Sequence, residues 1–273
     1  MYKNSNKLFN NYFLINFLLA LIPISYVIGN LILNLNILIF ILFSFFIFKK
    51  EISEFKINLF DKFILIYFSY ILLIGVYNFI TASTNNFEII IKSFLYLRFL
   101  LLYFVLRLLM NKKIINFQFF FVVSSFLVLF VSLDVIYQYN FGKDIFGFEG
   151  NGRRLGGPFG DELIAGGFLQ KFSFFLFFLL ATSPFFKKFS SRKLLVLFLF
   201  SSAIITFGFL FAGNRVPFMM FFLTSILIFI FFKNKRIYFL SIIISVISIF
   251  YIMYNSNLEI AKHYGHAYIK AKD

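Results

Sequence analysis

Polar positions in this chain come in short clusters, and between them the sequence stays apolar for roughly 17–25 residues at a time. Such runs lie near 11–29, 31–48, 62–81, 93–110, 115–138, 163–185, 194–212, 216–232 and 237–254. Each is long enough to cross the hydrocarbon core of a bilayer, ~30 Å thick, as a helix. The pattern predicts an all-α, polytopic transmembrane helical bundle of about nine spans over residues 1–254. The first run carries no small-residue cleavage motif and passes at once into the second across Gly29 and Asn30, so it reads as an uncleaved anchor. After the ninth run comes NSNLEIAKHYGHAYIKAKD, residues 255–273, a polar segment with helical spacing. It has the look of the start of a larger external loop, and the expectation is a chain truncated at its C-terminus.

The polar clusters also orient the bundle. Alternate connections carry Lys49-Lys50, Lys112-Lys113, Lys187-Lys188 with Arg192-Lys193, and Lys233 with Lys235-Arg236. Basic residues accumulate on the cytoplasmic side, which puts the N-terminus inside and the C-terminal segment outside. In that topology 16 of the 26 basic residues fall inside and 10 outside, while acids run 3 inside and 8 outside.

Composition agrees and narrows the chemistry. With 61% hydrophobic residues and 49 phenylalanines, no soluble domain can hide the apolar surface. The net charge of +15 suggests nucleic acid, but its distribution between apolar runs is that of membrane topology, so no nucleic-acid partner is expected. The absence of cysteine removes disulfides, thiolate metal sites and cysteine nucleophiles, and two histidines are too few for a histidine-rich metal site.

One connection breaks the charge rule. The segment from about Tyr139 to Glu162 is external, yet it carries Lys143, Arg153 and Arg154, and nine of the fourteen glycines lie between Gly142 and Gly167. Within it, GNGRRLGGPFGDE (residues 150–162) joins backbone that can approach a ligand to guanidinium forks that match phosphate oxygens. It is not a Walker A loop, and GNGRRLG misses the dinucleotide pattern by one position. An anionic ligand suits it; the plain alternative is a flexible re-entrant turn with its arginines on lipid headgroups.

Other charges fall on the same side. Arg98 in the fourth span, Asp134 in the fifth and Lys171 in the sixth all lie in the outer half of the membrane by this topology. A charge at that depth costs about 2.5–3.5 kcal/mol on insertion scales, so it faces a partner or a cavity, or snorkels to the headgroups. The turn FAGNRVPF, residues 211–218, returns the seventh span into the eighth, with Gly213-Asn214 at the tight turn and Arg215 at the helix N-terminus, a natural anion position. His263 and His266 share one helical face of the external tail; no third metal ligand is near, but a single histidine suffices as a base.

In order, spacing and shared face, these motifs resemble the O-antigen ligase and O-antigen polymerase superfamily. Arg154-Leu155-Gly156-Gly157-Pro158-Phe159 is similar to the family's Arg-x-x-Gly-x-Phe stretch before a span. Gly213-Asn214-Arg215 resembles its Ser/Gly-x-Arg turn two spans later, with Gly-Asn where many relatives have serine, and Gly265-His266 resembles the opening of its large periplasmic loop. The resemblance covers about residues 90–270; the rest of the large loop and the closing spans have no counterpart here.

The resemblance implies a multi-pass protein of the bacterial inner membrane with a periplasmic active face. It implies a glycosyltransferase that moves a glycan from a polyprenyl-pyrophosphate donor to an acceptor sugar, either lipid A–core or a growing glycan. Arg154 and Arg215 would hold the pyrophosphate and His266 would deprotonate the acceptor hydroxyl. Arg153, Arg98 and Lys171 are further candidates for the same anion, and Asp161 or Glu162 would orient an arginine. Neither a metal nor a cofactor is implied. A transporter or flippase for an anionic lipid or solute is the alternative; the absence of an internal repeat and the placement of charge toward one face speak against it.

Overall fold

The computed structural model describes residues 2–49, 56–81, 87–150 and 154–256. Among these residues the protein is all-α and polytopic, with no strand beyond an isolated bridge between Lys143 and Glu149. The helices are α1 (Tyr2–Ile28), α2 (Asn30–Ile47), α3 (Leu59–Thr81), α4 (Phe87–Asn111), α5 (Phe117–Phe141), α6 (Ala165–Thr182), α7 (Ser191–Ala212), α8 (Arg215–Phe231) and α9 (Arg236–Ser256). Eight of the nine, α9 together with the turn before it, are long and apolar enough to cross a membrane; α8, at 17 residues, falls one residue below that length. Every apolar run in the sequence therefore lies in one helix, with boundaries shifted by up to nine residues, the most at the start of α1.

The chain divides into two compact units, the first made of residues 1–22 and 30–117 and the second of 23–29 and 118–273. The division cuts α1 at Pro23, where the helix lacks a backbone donor.

In the first unit α3 runs along α4 and α2 packs on α4. Gly75 of α3 faces Ser93 of α4 so closely that a Cβ there would collide with the serine side chain. A closed polar network ties the start of α3 to the end of α4. Asp61 is fully buried and pairs with Arg107. Its Oδ1 accepts from the Tyr103 hydroxyl at 2.8 Å, and its Oδ2 accepts from the Asn58 backbone N–H at 2.7 Å. The Asn58 side chain caps in return, accepting from the Asp61 N–H at 2.9 Å. Arg107 also donates to the Lys56 carbonyl at 3.2 Å. A buried carboxylate with a cation and hydrogen-bond donors on both of its oxygens is the condition under which such a charge is tolerated.

In the second unit α6, α7, α8 and α9 pack on one another around phenylalanine rings. Phe177 stacks on Phe198 at 5.7 Å, Phe221 meets Phe209 at 4.9 Å and Phe174 at 5.1 Å, and all but Phe174 are fully out of solvent. The α6–α7 connection stops and restarts cleanly: Ser183 caps the short turn that follows it, accepting from Phe185 N–H at 3.3 Å, and Ser190 caps α7, accepting from Lys193 N–H at 3.4 Å. Helix α5 joins the same unit through Phe120 and Phe121 on Phe175, and through Ser132 against Gly208 of α7, where a Cβ would come within 3.0 Å of the serine side chain.

Candidate functional site

The glycine- and arginine-rich connection of the second unit is a folded structure held by α5. Asp134 and Gln138 stand one turn apart on that helix and therefore share a face. They are 0% and 1% exposed. Asp134 Oδ1 accepts from the Ile145 N–H at 2.9 Å. Gln138 uses both ends of its amide: Nε2 donates to the Phe148 carbonyl at 3.2 Å and Oε1 accepts from the Gly157 N–H at 2.9 Å. One side chain thus ties together two arms of the loop that are nine residues apart in sequence.

The first arm, residues 142–150, closes on itself. Asp144 is buried and its Oδ1 accepts from the Phe148 N–H at 2.7 Å, while its own N–H donates to the Phe148 carbonyl at 2.9 Å. Gly150 N–H donates to the Gly142 carbonyl at 3.0 Å, and Lys143 pairs with Glu149 at 3.1 Å. Gly142 and Gly147 sit at φ +78° and +93°, which the tight reversals require of glycine.

The second arm carries the arginine motif. Leu155 is buried against Gly150, and a Cβ on Gly150 would come within 2.7 Å of it. Arg154 precedes this anchor and is exposed. Gly157-Pro158-Phe159 forms one turn of 3-10 helix. Gly157 has φ +55°, and a Cβ there would meet Val135 of α5 at 2.7 Å; one on Gly156 would collide with the Gly160 carbonyl. These glycines are consumed by packing of the loop on itself and on α5, a different use from the approach to a ligand that composition suggests. Phe159 turns inward onto Phe168, with ring centroids 5.7 Å apart.

The second arginine motif is clipped to the foot of the first. Gly213 ends α7 in the left-handed conformation at φ +67°, and Arg215 opens α8, with Pro217 in its first turn. Asn214, between them, donates from Nδ2 to the Leu163 carbonyl at 3.2 Å. Gly166 of α6 lies against the same side chain; a Cβ there would sit 2.6 Å from the Asn214 Cβ. The N-termini of α6 and α8 therefore meet at one place, and neither is capped by its N-cap side chain. Arg215 is half-buried with its Nε out of solvent, and Arg154 lies beyond the anchor Leu155 on the arm that leads to the same foot.

The remaining predicted residues fall as follows. Lys171 of α6 is exposed and turned to the end of α1, where its Nζ donates to the Tyr26 hydroxyl at 2.8 Å. Asp161 and Glu162 are exposed, and among the described residues neither joins an ion pair. Arg98 lies in the first unit, half-buried, its guanidinium 4.8 Å from the centre of the Phe99 ring. Arg153 and His266 lie outside the described residues. Among the described residues no group of three or more histidines or acids is arranged to hold a metal ion. Sequence reasoning missed Gln138 and Asp144 as loop anchors and Asn214 as a clip. The available signal was a glutamine one turn beyond an aspartate, in an otherwise apolar helix that runs straight into a glycine-rich loop.

No protein-family model, curated protein or solved structure matches this chain. What stands on the observations above is the class: a polytopic α-helical membrane protein with a folded, arginine-bearing connection at one end of its second unit.

Proposed function

We propose that the protein is a membrane glycosyltransferase of the O-antigen ligase or polymerase type, moving a glycan from a polyprenyl-pyrophosphate donor to an acceptor sugar at the periplasmic face of a bacterial inner membrane. The observation that carries this reading is the Asn214–Leu163 clip. It ties the turn that carries Arg215 to Leu163, which directly follows the segment that carries Arg154, at the meeting point of two helix N-termini. Helix N-termini favour anions, and a guanidinium beside them adds a fork suited to phosphate oxygens. In this mechanism Arg154 and Arg215 hold the pyrophosphate and offset the charge that grows on it as the glycosidic bond breaks. His266 takes the proton from the attacking hydroxyl, so the acceptor oxygen bonds to the anomeric carbon as the polyprenyl pyrophosphate departs.

Arg154→Ala and Arg215→Ala should each abolish transfer from a polyprenyl-pyrophosphate glycan by the purified protein in vesicles, with membrane insertion unchanged. Arg→Lys should fail too, because an ammonium cannot make the two-point contact. Undiminished transfer by both alanine variants would refute the assignment. Movement of the intact lipid-linked glycan across the vesicle, with no transfer, would indicate a flippase instead.

A further inference from the structure

The first arm of the loop runs back down the side of α5 and does not stand above it. Three residues of α5 spaced one turn apart, Phe130, Asp134 and Gln138, each meet it. The Phe130 and Phe146 rings lie edge to face with centroids 6.4 Å apart, Asp134 binds the Ile145 N–H, and Gln138 binds the Phe148 carbonyl. Asp134 is seven residues before the end of α5 and Phe130 eleven, which at 1.5 Å per residue puts them about 10 and 16 Å below it. The tip at Ile145 and Phe146 has therefore descended by two to three helical turns alongside the helix.

The surface of this arm matches that location. Phe141, Ile145, Phe146 and Phe148 are all exposed. They continue the exposed apolar stripe of α5 formed by Phe126, Leu133 and Tyr137. The only other charges on the arm are Lys143 and Glu149, paired with each other, and Asp144, which is buried. Non-helical backbone at membrane depth is tolerated only when its polar groups are satisfied by protein. Here Asp134, Gln138 and Asp144 satisfy the Ile145 N–H and the Phe148 N–H and carbonyl. That requirement gives two buried acids and a buried amide a reason to exist in a segment where each is costly.

We infer that residues 142–150 form a re-entrant hairpin whose tip, Ile145 and Phe146, lies among the acyl chains of the membrane leaflet at that end of α5. Asp134 and Gln138 act as the clamp that makes the immersion possible. The inference does not depend on any catalytic activity.

The chain contains no tryptophan, so a single Phe146→Trp substitution supplies an unambiguous probe. In phosphatidylethanolamine–phosphatidylglycerol vesicles its emission should fall severalfold when the acyl chains are brominated, as should that of a Phe126→Trp reference on α5. Acrylamide in the aqueous phase should leave both unchanged. Quenching of the Phe146→Trp probe by acrylamide alone would overturn the inference by placing the tip in water. Quenching by neither would overturn it by placing the tip against protein. Adding Gln138→Leu to the probe should move it from bromine-sensitive to acrylamide-sensitive while the Phe126→Trp reference stays put. An unmoved probe would refute the clamp.

Discussion

Each unit buries an aspartate completely, and the two solve the problem in opposite ways. Asp61 in the first unit meets a cation and a phenol, and every neighbour it satisfies belongs to the framework. Asp134 in the second unit meets a backbone N–H of a loop, and among the described residues no cation pairs with it or with Asp144. The first arrangement uses up an arginine to fasten two helices. The second fastens a loop with a carboxylate and an amide and leaves Arg154 of that loop exposed. A buried acid is thus no guide to function until its partner is known: one with an arginine partner is a fastener, and one with a backbone partner marks a segment whose shape is being held for a purpose.

Substitutions can test that contrast. The largest effect should come from Arg107→Met, which leaves Asp61 as an uncompensated buried charge and should cost about 3–5 kcal/mol in a detergent-unfolding titration. Adding Asp61→Leu should restore most of that loss; if it does not, Arg107 matters for more than the charge it balances. Next comes Gln138→Leu, which orphans the Gly157 N–H at about 1–3 kcal/mol and leaves the Phe148 carbonyl with only its bond from the Asp144 N–H. Its effect should be local: protease added outside should cut between 142 and 160 while the helices stay intact. Gly157→Ala should cost about 1–3 kcal/mol through its positive φ and its collision with Val135, and should likewise expose the loop to cleavage. The smallest effect should be Glu149→Ala, whose partner Lys143 and own side chain are both mostly in solvent, at no more than about 1 kcal/mol. A large loss there would mean that the first arm is held by its ion pair more than by Asp134 and Gln138.

The helices were legible because a bilayer imposes length and apolarity on every span, and both can be read directly from the residues. Asn30–Ile47 and Ser191–Ala212 fall within a few residues of the runs 31–48 and 194–212. The loop was legible as an anomaly through its glycines and arginines, but its internal economy was not. Gly157 owes its identity to Val135, twenty-two residues earlier on a helix, and such a steric match leaves no periodic trace. Asp134 was visible as a charge at depth, yet its partner is a backbone amide, and backbone amides are the same at every position. Asp61 and Arg107 escaped notice for a similar reason: each sits at the end of a span, where charges are ordinary, and 45 residues separate them.

Tyr26, near the end of α1, belongs to the second unit. Its hydroxyl receives the Lys171 ammonium and its ring packs on Phe159, Phe168 and Phe172. Those partners are made some 130 to 145 residues after it. At bacterial and eukaryotic synthesis rates of about 5–20 residues per second, the tip of α1 waits roughly seven to thirty seconds for them. During that interval it has only lipid, translocation machinery or the helices made in between for company. A span made early is therefore completed late, and the second unit closes only when its earliest segment is met by its later ones.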